Sequence, residues 1–277
     1  MFFTRLLSSI VLVIIALVTL LQGGYLLAAV LLLISLAAYR ELSKACNGGS
    51  LDGKEGKKIN ALEAAGYIGI LAYYGIVVFT SSQAAQMLSI LFVMIGFMFV
   101  YVFTFPQYEA SQVMAAFFSF AYAPVMFSFI YQTRELQYGI YLVWMIFISS
   151  WVCDTFAYLT GILIGKHKMT PKLSPKKSIE GAVGGVAGAA LAGGLYGYFI
   201  VEGVVSGQQI TWIFALIGGI GAMISQIGDL AASAIKRNHN IKDYGHLIPG
   251  HGGIMDRFDS VIFTAPMIYG LALLFIK

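Results

Sequence analysis

Long apolar stretches separated by short polar ones run through this chain from one end to the other. About nine of them are long enough to approach or cross a hydrocarbon layer of roughly 30 Å at about 1.5 Å per helical residue. They cover residues 5–22, 24–39, 63–80, 84–103, 110–131, 138–164, 179–201, 209–235 and 258–276. The second is short and follows the first at once. The pattern predicts an all-α, polytopic integral membrane protein. It contains no internal repeat and no soluble stretch long enough to fold alone. The first five runs, within residues 1–137, hold almost no internal charge. From Ser149 onward polar residues concentrate, so residues 138–277 are expected to carry the chemistry within one integrated membrane domain.

Charge placement orients these runs. With the N-terminus in the cytosol and the spans alternating, the cytosolic segments hold Arg5, then Arg40, Lys44, Lys54, Lys57 and Lys58. They also hold Lys166, Lys168, Lys172, Lys176 and Lys177, then Lys236, Arg237, Lys242 and Arg257. Of the 17 Lys and Arg, only Arg134 and Lys277 fall elsewhere. Positive loops stay inside, which favours a cytosolic N-terminus and a C-terminus on the outer side. The loop from Cys46 to Lys58 is rich in glycine and reads as a flexible linker.

Composition agrees. The chain is 59% hydrophobic and 11% charged, with a mean hydropathy of +0.83. Soluble domains carry about 25% charged residues. The net charge of +4 is divided among separate loops, which excludes a nucleic-acid surface. Cys46 and Cys153 do not form a disulfide framework. Residues 1–22 resemble a signal peptide in placing Arg5 before an apolar run. They lack an Ala-x-Ala cleavage site, so a retained helix is expected.

Against this background the polar residues inside the runs stand out. Asp154 lies about 15 Å from the end of run six by helical rise. Ser150, Asp154, Tyr158, Gly161 and Gly165 fall on one face. Such an aspartate can serve only to bond a neighbouring helix, but ionisable groups at this depth more often mark function. Run eight carries Ser225, Asp229, Ser233 and Lys236 toward its cytosolic end. An Asp229–Ser233 contact within the helix is the plainer reading there. Run nine is preceded by Pro249-Gly-His-Gly-Gly253. These glycines suit irregular backbone with positive φ, and amides so exposed can cradle an anion. Asp256, Arg257 and Asp259 then open the helix, partly as ordinary caps.

The basic loop from Lys166 to Ser178 serves topology and attraction to anionic lipid. Lys176 and Lys177, beside Ser178 as a candidate N-cap, also suit phosphate at a helix N-terminus. Run seven is glycine-rich at Gly181, Gly184, Gly185, Gly188, Gly193 and Gly197, which reads as close helix packing. His167, His239 and His246 have no metal-ligand spacing and receive no role. Two to four carboxylates and several cations thus converge on the cytosolic face. Hard oxygen ligands together with phosphates suit Mg²⁺ and displacement at phosphorus. The substrate would be partly lipid, since the carboxylates lie below the membrane surface.

Residues 233–259 read Ser-x-Ile-Lys-Arg, four residues, Lys-Asp-x-Gly, two residues, Ile-Pro-x-His-Gly-Gly-Ile-x-Asp-Arg-Phe-Asp. This segment resembles the signature of the phosphatidate cytidylyltransferases, or CDP-diacylglycerol synthases. Cys153-Asp-Thr-Phe-Ala-Tyr158, Leu173-Ser-Pro-Lys-Lys-Ser-Ile-Glu-Gly181 and Gln226-Ile-Gly-Asp-Leu230 extend the resemblance over roughly Ser149 to Ser260. The resemblance implies transfer of the cytidylyl group of CTP to phosphatidic acid, with release of pyrophosphate. It also implies Mg²⁺, with a second, monovalent ion such as K⁺ left open. A homodimer and a cytosol-facing, lipid-accessible cavity follow from it as well, while the compact length and absence of long tails lead to the expectation of a bacterial inner membrane.

On this reading Asp229 and Asp256 are the leading metal ligands, with Asp154 and Asp259 as ligands or their supports. Lys176, Lys177, Ser178, Lys236, Arg237, Lys242 and Arg257 are candidates for phosphate. His251, Gly252 and Gly253 are further phosphate contacts, and Asp229, Asp256, Lys236 and Arg257 are the expected catalytic set. Two competing functions share parts of this pattern. A CTP-dependent lipid kinase would use the same chemistry at the γ-phosphate. An ion-coupled transporter would need polar pathways on both faces, whereas the outer loops here are short and nearly uncharged.

Overall fold

The computed structural model describes residues 2–46, 59–80, 82–205, 209–248, 250 and 252–276. Among these, nine long helices follow one another. They are α1 (Phe2–Gln22), α2 (Gly24–Cys46), α3 (Ala61–Phe79), α4 (Gln83–Phe103), α5 (Ala110–Arg134), α6 (Gly139–Ile164), α7 (Ile179–Val201), α8 (Ile210–Asn238) and α9 (Met255–Phe275). The last eight are long and apolar enough to cross a membrane, and α1 adds an apolar helix over Ile10–Gln22. The chain is an all-α integral membrane protein. The expected linker at 47–58 lies outside the described residues, and both cysteines are free.

The helix ends follow local chemistry. Asn60 caps α3 by accepting from Glu63 N at 2.7 Å, and the Glu63 side chain accepts from Asn60 N at 3.4 Å. This reciprocal box satisfies two end donors and starts α3 two residues before the apolar run. Helix α2 extends seven residues past its apolar run, because Arg40, Glu41 and Lys44 are good helix formers though polar. Pro124 has no N–H, and the ladder of α5 widens into a π turn around it at Ala121–Val125. Among the described residues the two-stranded pairing is a hairpin, β1 (Lys168–Thr170) against β2 (Ser174–Ser178), antiparallel, in the basic loop between α6 and α7.

The contacts divide the chain into two compact units. The first comprises Met1–Tyr131 with Asn238–Arg257, and the second Gln132–Arg237 with Phe258–Lys277. In the first, α2, α3, α4 and the start of α5 pack together around Tyr39, Leu42, Ile70, Tyr73, Phe97 and Phe120, all buried. Two pairs of its buried hydroxyls bond each other, Tyr74 with Ser35 at 2.7 Å and Tyr73 with Ser128 at 2.9 Å. Such pairing is required where no water is at hand.

The second unit is built on glycine. Gly181, Gly184, Gly185 and Gly188 of α7 lie against Ala157, Thr160, Cys153 and Phe156 of α6, and Gly193 and Gly197 against Phe214 of α8. The close packing expected of run seven is what α7 does. A Cβ on Gly185 would come within 2.8 Å of the Cys153 carbonyl and 2.9 Å of its sulfur. Gly185→Leu is therefore expected to cost about 1–3 kcal/mol or to prevent assembly. Gly96→Leu, where a Cβ meets nothing within 4 Å, is expected to be neutral. Melting curves of the two variants by size-exclusion chromatography check this; equal behaviour would contradict the close α6–α7 contact.

Candidate functional site

In the second unit, α6 sets the first carboxylate. A π turn at Ile148–Val152 precedes Asp154, and Ser150 within it turns back to donate to Ile146 O at 2.9 Å. The wide turn rotates later residues relative to earlier ones. Asp154, Tyr158 and Gly161 consequently share a cavity wall, while Ser150 is buried in its own helix.

The β1–β2 hairpin brings the cations to the same wall. Its base is closed by Ile179 N donating to His167 O at 2.9 Å. Glu180 clasps both ends. It accepts from Lys166 N at 3.1 Å and His167 N at 3.2 Å, and its Oε1 lies 2.6 Å from His167 Nδ1. Ser178 caps α7 as expected, accepting from Gly181 N at 3.1 Å. Gly161 and Gly165 press close on its hydroxyl. Lys168, Lys176, Lys177 and Ser178 thereby line the cavity, whose volume is about 500 Å³. Tyr158, Ile162 and Met169 make its wall partly apolar. Gln226 of α8 closes it by donating to Ala182 O at 2.9 Å and to Cys153 Sγ at 3.3 Å, which ties three helices together.

Asp229 of α8 forms an ion pair with Lys177, each side chain 28% exposed. Its partner is thus on the hairpin, so the plainer reading of an Asp229–Ser233 contact is not what organises it. Asp154, Asp229 and Asp259 feel one another's charge, and Lys236 feels that of Asp259. Asp259 Oδ1 accepts from Ser260 N at 2.9 Å. Gly228 lets α8 approach the backbone of Asp259. Arg237 is exposed at the end of α8.

The donor set bears on metal. Among the described residues no three His, Cys, Asp or Glu side chains converge tightly enough to hold an ion by themselves. Mg²⁺ keeps waters and takes one or two carboxylates plus substrate phosphates. Three aspartates within electrostatic reach of one another, beside the lysines of the hairpin, suit such an ion better than a cation needing a full protein cage.

The remaining candidates belong to the first unit. Gly250 and Gly252 adopt φ of 78° and 89°, the left-handed backbone expected of this loop, and Ile248 N donates to Gly252 O at 2.9 Å. Asp256 Oδ2 accepts from Tyr244 N at 2.8 Å and Gly253 N at 3.1 Å. The Gly253 amide, a candidate for phosphate, is here engaged by Asp256. Lys242 and Arg257 are exposed, and His251 lies outside the described residues.

Sequence reasoning passed over four residues that the structure makes prominent. Lys168 and Gln226 line the cavity, Glu180 fastens its hairpin, and Glu41 of α2 accepts from Ile254 N and Met255 N. Glu41 had a signal, a carboxylate where helix α2 leaves the apolar run. Lys168 had none, since topology alone accounts for a lysine there.

A family model described as Cytidylyltransferase family matches residues 3–275. A protein of Staphylococcus saprophyticus named phosphatidate cytidylyltransferase is 30% identical over 95% of this chain and 96% of its own length. Proteins of the same name from Staphylococcus epidermidis and Staphylococcus aureus are 32% and 31% identical, with the same coverage of both chains.

Proposed function

The chain belongs to the cytidylyltransferase family, and from that premise we propose that the cavity of the second unit is where its transfer occurs. The protein is a nucleotidyltransferase that makes CDP-diacylglycerol and pyrophosphate from CTP and phosphatidic acid. A phosphate oxygen of phosphatidate bonds to the α-phosphorus of CTP as the bond from that phosphorus to the β-phosphate oxygen breaks. Phosphatidate is already anionic at neutral pH, so no strong base is required. The barrier is instead the approach of two anions, and fixed cations lower it.

The observation that carries this reading is a cavity lined by Lys168, Lys176 and Lys177, with Lys177 paired to Asp229. Its partly apolar wall suits a substrate that is half lipid. Lys176, Lys177 and Ser178 hold phosphate oxygens, and Lys236 and Arg237 add charge from α8. Lys242, His251, Gly252 and Arg257 are assigned to phosphate on the signature motif alone, whereas the Gly253 amide is engaged by Asp256. Asp229, with Asp154 and Asp259 in electrostatic reach, is assigned to Mg²⁺, and Asp256 to metal from the motif. When bound, Mg²⁺ supplies charge withdrawal from the phosphates; a second, monovalent ion such as K⁺ is part of the same proposal. So are a homodimer, a bacterial inner membrane, a cytosol-facing site, a cytosolic N-terminus and an outer C-terminus.

The test is product analysis with purified protein, phosphatidic acid, Mg²⁺ and CTP labelled at the α-phosphate. Label entering the lipid together with pyrophosphate release is the expected result. Unlabelled lipid with CDP appearing would instead make the protein a lipid kinase.

A further inference from the structure

The amides that open α9 are already taken, and one of their two partners comes from the other end of the sequence. Glu41 lies in the last turns of α2, between Tyr39 and Leu42, both fully buried, so the rotation of its helix is fixed. Its Oε1 accepts from Ile254 N at 3.1 Å and its Oε2 from Met255 N at 3.0 Å. Gly245 and Gly253 lie so close to this carboxylate that a Cβ on either would overlap it. Asp256 takes the Gly253 amide. Two carboxylates thus divide three consecutive donors, and each prefers the positive end of a helix.

A cap alone would need only Asp256. The second carboxylate does something a local cap does not: it ties the first turn of α9 to a helix formed by distant sequence. Ile254, which Glu41 holds by its N–H, accepts at its carbonyl from Arg257 N at 3.0 Å. The backbone bearing Asp256 and Arg257 is thereby registered against α2. We infer that Glu41 is a positioning residue for cytidylyl transfer, setting the backbone from which Asp256 and Arg257 project. The inference rests on the function proposed above and extends it to a helix outside the signature.

Glu41→Gln tests this in the full-length protein, in detergent with phosphatidic acid. The variant keeps the size of the side chain but sets an NH₂ group against an N–H donor. The expected result is a kcat lower by about tenfold or more with the KM for CTP moving less than about threefold. The melting temperature stays within a few degrees, and faster amide exchange is confined to peptides covering 243–257. A kcat per folded molecule equal to wild type overturns the inference. So does exchange rising throughout the protein in step with a lower melting temperature, since Glu41 would then serve stability alone. If Glu41→Gln does not purify folded, Glu41→Asp decides, because it keeps the charge but withdraws it by one methylene. A positioning role lowers its kcat by about tenfold, and a role in folding alone leaves it within about twofold. An unsubstituted protein that makes no CDP-diacylglycerol overturns the functional reading and this role with it. That outcome is distinguished by the wild type alone.

Discussion

Asp229→Asn is expected to lower turnover by about 10³-fold or more while the protein still inserts and folds. The substitution keeps shape and removes one charge. That charge has two uses on this reading, to hold Mg²⁺ and to aim Lys177, its ion-pair partner on the hairpin. Both bear on the charge that develops during displacement at phosphorus, so the loss falls on kcat. Stability should change little, because both side chains are 28% exposed and such pairs contribute only about 0–1 kcal/mol. Removing the carboxylate also relieves its repulsion with Asp154 and Asp259. Lipid labelling and a melting curve on one preparation check both halves. Turnover within about tenfold of wild type would remove Asp229 from the metal site.

Asp256→Asn is expected to cost about 10²–10³-fold in turnover, again with a folded protein. Here the neutral analogue is informative because the structure gives the carboxylate a backbone duty. The asparagine oxygen can still accept from Tyr244 N and Gly253 N, so the loop keeps its tie. Asp256→Ala removes these bonds as well, and hydrogen bonds to a charged group contribute about 1.5–3 kcal/mol each. The alanine variant should therefore melt lower than the asparagine variant, although both are inactive. An asparagine variant with near-normal turnover would reduce Asp256 to a helix cap.

The helices were legible in the sequence because the bilayer imposes a length and a polarity that nothing else in a chain imitates. Runs at 110–131, 138–164, 179–201 and 209–235 match α5 to α8 within a few residues at each end. Where they differ, polar helix formers carry the helix beyond the apolar run, as at Arg40 to Cys46 and Lys236 to Asn238. The hairpin at Lys168–Ser178 was not legible. Its lysines read as topology, or at Lys176 and Lys177 as phosphate contacts, and pairing between two short polar strands leaves no apolar period to detect. At the site, Asp154 and Asp229 announced themselves as charges inside apolar runs. Pairing of Asp229 with Lys177 could not be read, because it depends on how the hairpin folds back against α6 and α7. Glu41 showed as a carboxylate where α2 leaves its apolar run, but its role could not be read, because its partners are two backbone amides more than 200 residues away and amides have no sequence signature.

The bond from Glu41 to Ile254 and Met255 also bears on how the protein is made. Helix α2 leaves the ribosome early, whereas its partners lie near the end of the chain. For most of synthesis the Glu41 carboxylate must wait without the amides it will hold. The first turn of α9 therefore cannot be fastened until α3 to α8 have been made. A nascent chain arrested before α9 would carry Asp154, Lys177 and Asp229 yet lack the fastened loop, so activity is gained only once α9 has been made.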